Sequence, residues 1–234
     1  RTNTARSGAD LARGARALQA LNRPREANAV FIDAANASPG NPAIETAFGM
    51  LFLERHTNAE AFKSFQAALR ENARFAPALL GAARAIADDN PPQSVAFARE
   101  ALEVNPNYVD AHVFLAFGAA FANKDDARES LDRALEVNPS RLDALALHAG
   151  LAYVDDDIET FERYVARALA INPRYGEVYR IAAEQTARAY RFPEAVVLAR
   201  RGLDLDPENP RTLADLGVHL LRTGDEPGAR VVLE

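Results

Sequence analysis

The chain contains no cysteine and no tryptophan, a single methionine (Met50) and only two lysines, Lys63 and Lys124, among 234 residues. Without cysteine there is no disulfide, no thiol nucleophile and no cysteine-ligated zinc, and the lack fits a reducing or an oxidising compartment equally. No apolar run approaches the roughly 18 residues that a membrane-spanning helix needs. A surplus of positive charge is lacking too. The net charge is −6, so no basic face is expected to neutralise phosphates and no nucleic-acid partner is expected. The sequence opens at Arg1, not Met, and shows no signal-peptide pattern. We therefore expect a soluble piece of a longer protein, with cytoplasm and periplasm both open because a leader would lie upstream.

Catalytic and metal signatures are missing as well. The four histidines, His56, His112, His148 and His219, form no HExxH pair. His112 and His148, even with Asp143 nearby, make too poor a ligand set for a metal, and packing within helices is the expected fate of both. The acidic stretch VDDDIE at 154–159 lacks the order of ligands of a calcium loop and reads as a solvated turn that supplies helix caps. No glycine-rich phosphate loop occurs, and no pair of carboxylates stands out for acid–base work. The expectation is a protein that is not an enzyme and holds no cofactor.

What is present is a repeated phrase. ALEVNP occurs at 101–106 and again at 134–139, with ALAINP at 168–173 and GLDLDP at 202–207. The closing prolines are Pro39, Pro106, Pro139, Pro173 and Pro207, and the gap between the first two leaves a slot at Ala73. The period is then 33 or 34 residues, which marks a repeat architecture. Small residues recur in phase. Five positions before each slot stand Ala34, Ala68, Ala101, Ala134, Ala168 and Gly202; twelve before stand Ala27, Ala61, Ser94, Ala127, Phe161 and Ala195.

Each period carries two amphipathic helical stretches, as in VDAHVFLAFGAAFA and ARESLDRALEV, separated by NKDD and ended by NPSR. Proline ends the second helix because it has no N–H and excludes the residue before it from helical geometry. The small residues mark where two helix axes cross closely. The repeated phrase is therefore a structural instruction. Ala73 in place of proline predicts a more continuous join between the second and third repeats, and Pro91 predicts a helix start. Phe161, bulky at a crossing, is expected to fill the space that Ala152 leaves.

These residues resemble the tetratricopeptide repeats, a 34-residue helix–turn–helix family. The repeat at 42–75 carries Phe48-Gly49, Phe52, Ala61, Phe65 and Ala68 at the family's positions; 210–234 carries Leu213, Leu216-Gly217, Leu220, Gly224-Asp225, Ala229 and Leu233. The resemblance gives six repeats, 8–41, 42–75, 76–108, 109–141, 142–175 and 176–209, and a seventh, 210–234, cut off in its second helix. It implies an all-α solenoid, a right-handed superhelix over the single array 1–234 whose first helices line a concave face, and a non-catalytic scaffold for a protein or peptide. The stretches INPRYGEVYR and LADLGVHLLRTGDEPGARVVLE also resemble repeat arrays that precede zinc-peptidase domains in some bacterial proteins. An accessory domain of a larger bacterial enzyme and a self-associating module are therefore the alternatives. The family's two-carboxylate clamp is absent: Arg16, Met50, Ala47 and Gly81 occupy its positions.

Rows of positions 6, 9 and 13 on successive first helices supply the candidate site, because residues three and seven apart share a helix face. They place Phe114, Phe117 and Phe121 beside Leu147, Gly150 and Val154, with Arg84, Glu184 and Arg188 around them. The expected groove takes a ligand with an apolar centre on Phe114, Phe117, Phe121, Leu147 and Val154. Gly150 leaves a gap for a ligand side chain, and Arg84, Glu184 and Arg188 orient polar flanks.

Overall fold

Fourteen helices account for most of residues 7–233, the part of the chain that the computed structural model describes. They are α1 (Gly8–Ala20), α2 (Pro24–Ala37), α3 (Pro42–Glu54), α4 (Asn58–Glu71), α5 (Ala76–Ala85), α6 (Pro91–Val104), α7 (Val109–Ala119), α8 (Lys124–Val137), α9 (Leu142–Val154), α10 (Ile158–Ile171), α11 (Glu177–Arg188), α12 (Phe192–Leu205), α13 (Pro210–Thr223) and α14 (Glu226–Leu233). Each repeat is a pair of these. The chain divides into two compact units, Arg1–Ala111 and His112–Glu234. Within the first, α3 packs on its partner α4 and on α1 and α5; within the second, α11 packs on α12 and on α9 and α13.

The crossing residues lie where their spacing puts them. Ala27, Ala34, Ala61, Ala68, Ala101, Ala127, Ala134, Ala168 and Ala195 are fully buried. Ser94, the polar exception, donates its hydroxyl to the carbonyl oxygen of Ala83 at 2.8 Å across the α5–α6 crossing, so the buried oxygen has a partner. Phe161 is accommodated at its crossing. It is buried, with its ring edge-on to Tyr153 and Tyr179 at 5.0 and 6.3 Å.

Turn chemistry explains two features that proline did not. The join after α4 is a break, not a continuation, although Ala73 replaces proline. Asn72 makes it: its Oδ1 accepts from the N–H of Arg74 at 3.0 Å. Asn105, Asn138 and Asn172 do the same for the residue two ahead, at 3.1 Å. A side-chain amide that mimics a backbone turn suffices without proline. The short repeats lose their residue between the paired helices. α5 and α6 begin at 76 and 91, one residue closer than α3 and α4 at 42 and 58. In the longer repeats that turn holds a left-handed residue: Asn22, His56, Asp156, Tyr190 and Gly224. Pro91 does open α6, and Asp157 caps α10 by accepting from the N–H of Thr160 at 3.0 Å. The neighbouring Asp155 pairs with Lys124 and Arg128, so the acidic turn caps and crosslinks helices.

Candidate binding groove

In the second compact unit a cleft of about 560 Å³ runs over the first helices of successive repeats. Phe117 of α7 and Ile181 of α11 give it apolar surface, and Tyr175 stands in the turn before α11. Its polar lining comes from the N-terminal turns of three helices: Asp143 on α9, Glu177 and Arg180 on α11, and Asn209 and Arg211 at the start of α13.

Most of these polar groups are already paired within the protein. Arg180, whose side chain is 14% exposed, donates from Nε to Glu177 at 2.7 Å and from Nη1 to Asp215 at 3.1 Å and Glu184 at 3.4 Å. Burial alone would lower its pKa, but the hydrogen bonds and fields of Glu177 and Asp215 outweigh burial and raise it. Asn209 donates to Glu177 at 3.2 Å while its Oδ1 caps α13. Arg141 holds Asp143 through two bonds, at 2.6 and 2.9 Å. The Tyr175 hydroxyl is pushed up to about 12, by burial first and then by Asp143 and Glu177, so it remains a hydrogen-bond donor at neutral pH. Arg211 is exposed and has no ion pair among the described residues.

The expected site residues separate under this geometry. Phe117 lines the cleft, Phe121 is 66% exposed at the end of the same turn of chain, and Phe114 and Val154 are half-buried. Glu184 and Arg188 are joined at 2.9 Å, so part of their hydrogen-bonding capacity is spent within α11. Two expectations fail. Leu147 is fully buried and belongs to the core. Gly150 leaves no gap, since a methyl group there would stand 3.1 Å from Gln185 Cγ and 3.2 Å from Ala182 Cα. Leu147 points into the core, and Gly150 lies against α11 of the following repeat, so neither is open to a ligand. Arg84 lies in the other compact unit, on α5, where its field reaches the Tyr108 hydroxyl.

Arg180, Glu177, Asp143, Tyr175 and Asn209 were not foreseen. A signal for the first two existed: Glu177, Arg180, Glu184 and Arg188 alternate in charge at spacings of three and four, which aligns them on one helix face.

The chain has no match among protein-family models and none among curated proteins. Solved structures do match. A tetratricopeptide repeat protein from Parabacteroides merdae superposes with a TM-score of 0.69 at 18% identity, over 96% of this chain and 90% of that one. The fold is that of the tetratricopeptide repeats. PilF of Pseudomonas aeruginosa gives 0.67 at 13% identity, over 88% and 94% of the two chains. YrrB, described as a TPR protein with an unusual peptide-binding site, gives 0.52 at 16% identity, over 78% and 95%. At these identities the likeness is one of tetratricopeptide-repeat architecture.

Two histidines of this fold lie apart from the cleft lining. His148 is buried, stacked on Tyr164 at 4.5 Å, and bonded through Nε2 to Asp132 at 3.0 Å. His219 is buried with neither ring nitrogen bonded. Among the described residues no three His, Asp or Glu side chains converge as a metal centre. Burial lowers the pKa of both histidines below 6.5. Asp132 opposes the shift at His148 while Arg128 and Arg167 add to it, and Asp215 and Glu184 oppose it at His219. Below that value the unfolded chain binds protons that the folded chain refuses, so stability falls as pH drops from 6.5 toward the folded pKa. We expect the melting temperature to decline between pH 7 and about 5.5, and His219→Gln to flatten that decline. An identical pH profile for the variant would remove His219 from the effect.

Proposed function

We propose that this chain is a non-catalytic scaffold that holds a peptide or a protein segment in the cleft of its second compact unit. The observation that carries the reading is the cleft's division of labour. An apolar surface from Phe117 and Ile181 is framed by charged groups most of which, Arg211 apart, are already neutralised within the protein. Such walls can hydrogen-bond a peptide main chain without demanding a charged ligand, while the floor takes an apolar side chain. The exposed ring of Phe121 extends the apolar surface. Tetratricopeptide-repeat folds are generally protein- and peptide-binding scaffolds, and the peptide-binding site described for YrrB is in keeping with that use. Among the described residues no helix is long and apolar enough to cross a membrane.

The test begins with peptides selected from a random displayed library on the immobilised chain. A Phe117→Asp, Phe121→Asp double variant should weaken the selected peptides at least about tenfold, or roughly 1.4 kcal/mol, with an unchanged helical signal. Since Phe117 is half-buried, Phe121→Asp alone serves as the variant certain to fold, and a smaller loss is expected from it. Full binding by both variants would sink the groove reading.

A further inference from the structure

A cleft of about 300 Å³ lies in the first compact unit, between the N-terminal turns of α2 and the turn that joins α3 to α4. Pro24, Arg25 and Asn28 line it from α2; Phe52, Arg55 and Thr57 line it from the other side. Helical spacing brings the first three together, since residues three and four apart share one face. The opposite wall is a locked turn. His56 is left-handed, with φ 55°, and the Thr57 N–H and hydroxyl both donate to the Phe52 carbonyl oxygen, at 3.0 and 2.9 Å. Those bonds hold the backbone of Arg55, which lies between the two residues.

No acidic side chain lines this cleft. Among the described residues the side chains of Arg25, Asn28 and Arg55 make no hydrogen bond, and neither arginine has an ion pair. Glu26, next to Arg25, is held by Arg23 through two bonds of 2.6 Å. The second compact unit treats the same place differently. α2 and α8 have 14 residues each, and α3 and α9 have 13 each. Arg55 therefore follows α3 as Asp155 follows α9, and Asn28 stands in α2 as Arg128 stands in α8. There the Asp155 carboxylate joins the helices by binding both Lys124 and Arg128. In the first unit an arginine replaces that carboxylate, so cations stand on both walls with no acid of the lining between them.

We infer that this cleft binds a phosphate monoester of an aromatic alcohol. Two guanidinium groups carry two positive charges, and a carboxylate would neutralise only one. A phosphate monoester carries about −1.5 to −2 at neutral pH and presents three acceptor oxygens. Arg25 and Arg55 bond those oxygens from the two walls by charge-assisted hydrogen bonds, and the Asn28 amide donates to a third. The ring of the ligand lies against Phe52 and Pro24, the apolar part of the lining. At the place of Phe52 the second unit has only Ala152. The walls belong to a second helix and a turn, so the site is separate from the peptide groove and does not rest on it. A free aryl phosphate and a phosphotyrosine side chain share this chemistry.

Phosphorus-31 resonance of the probe, titrated with the intact chain, reads binding directly. Phenyl phosphate should shift saturably, and inorganic phosphate should bind roughly tenfold more weakly because it offers nothing to Phe52 and Pro24. Arg25→Gln and Arg55→Gln should each weaken phenyl phosphate about tenfold. Both arginines are exposed, so the fold should hold. Arg55→Asp, which puts an acid where the second unit has Asp155, should abolish binding. Arg99→Gln, at an exposed arginine of α6 outside the cleft, should bind like the parent. So should the Phe117→Asp, Phe121→Asp variant, which separates this site from the peptide groove. A blocked phosphotyrosine peptide tells the two sources apart. Tighter binding than phenyl phosphate makes the ligand a phosphorylated chain, and equal or weaker binding makes it a small molecule. No shift with any probe at concentrations on the order of 10 mM overturns the inference. So does binding that survives the Arg25→Gln, Arg55→Gln double change, that Arg99→Gln weakens equally, or that is no tighter for phenyl phosphate than for inorganic phosphate.

Discussion

Replacing Phe65 by alanine should lower the stability of the first compact unit by about 3–5 kcal/mol, the range for emptying a buried aromatic site. The ring is fully buried on α4, and two glycines make room for it. A methyl group on Gly49 of α3 would stand 2.7 Å from the ring, and one on Gly81 of α5 would stand 2.3 Å from it. Phe65 thus holds α3, its own partner helix, and α5, the first helix of the next repeat. Its removal opens both interfaces at once, and the two glycines that face it have no side chain to fill the space. Since each repeat leans on its neighbours, the loss should appear first in α3, α4 and α5 and decay along the array. Hydrogen exchange resolves this: amide protection should fall most in those three helices. Phe62, on the same helix but half-buried and edge-on to Phe97 at 6.2 Å, is the control. If Phe62→Ala costs as much as Phe65→Ala, the ring between the glycines is not the keystone proposed.

Much of that architecture was legible because it is written at fixed spacing. The alanines before each NP step predicted the crossings, and they are the residues with no exposed surface. The period predicted the pairing of helices and their stops. Where the sequence reading erred, a local rule had a substitute or an angular error mattered. Asn72 ends α4 without proline because its own side chain closes the turn. Leu147 and Gly150 were assigned to the open face because residues three apart share one side of a helix, and a sequence does not show that the neighbouring helices cover that side. Phe117, at the cleft, and Phe121, exposed in the turn after α7, are four residues apart, a spacing that a sequence does show. The polar lining was harder to see. Glu177, Arg180 and Asp215 come from two helices 35 residues apart in the chain, and a sequence shows that Arg180 has acidic neighbours on α11 without showing that Asp215 of α13 completes the set.

That set leads to the second large effect, expected from Arg180→Met. One guanidinium is shared by Glu177, Glu184 and Asp215, with the Arg180 side chain largely enclosed. Removing the cation while keeping its volume leaves three carboxylates facing one another. Breaking a buried ion pair from one side costs about 3–5 kcal/mol, and partial exposure of the carboxylates brings the expectation here down to roughly 2–4 kcal/mol. Three features distinguish this loss from simple misfit. It should shrink in about 1 M salt, because the residual repulsion between partly exposed carboxylates is screened. A further change of Asp215→Asn should recover part of it by removing one of the three charges. Arg211→Met, at an exposed arginine of the same cleft with no ion pair among the described residues, should cost little. The consequence for binding follows from position. Arg180 fixes α11 to α13 across the floor of the cleft, so its loss should loosen the spacing of the two helices that a peptide must bridge. Denaturant unfolding of the three variants in low and high salt decides the matter. A deficit in Arg180→Met that ignores salt and is not relieved by Asp215→Asn would mean that the arginine acts there by its packing rather than its charge.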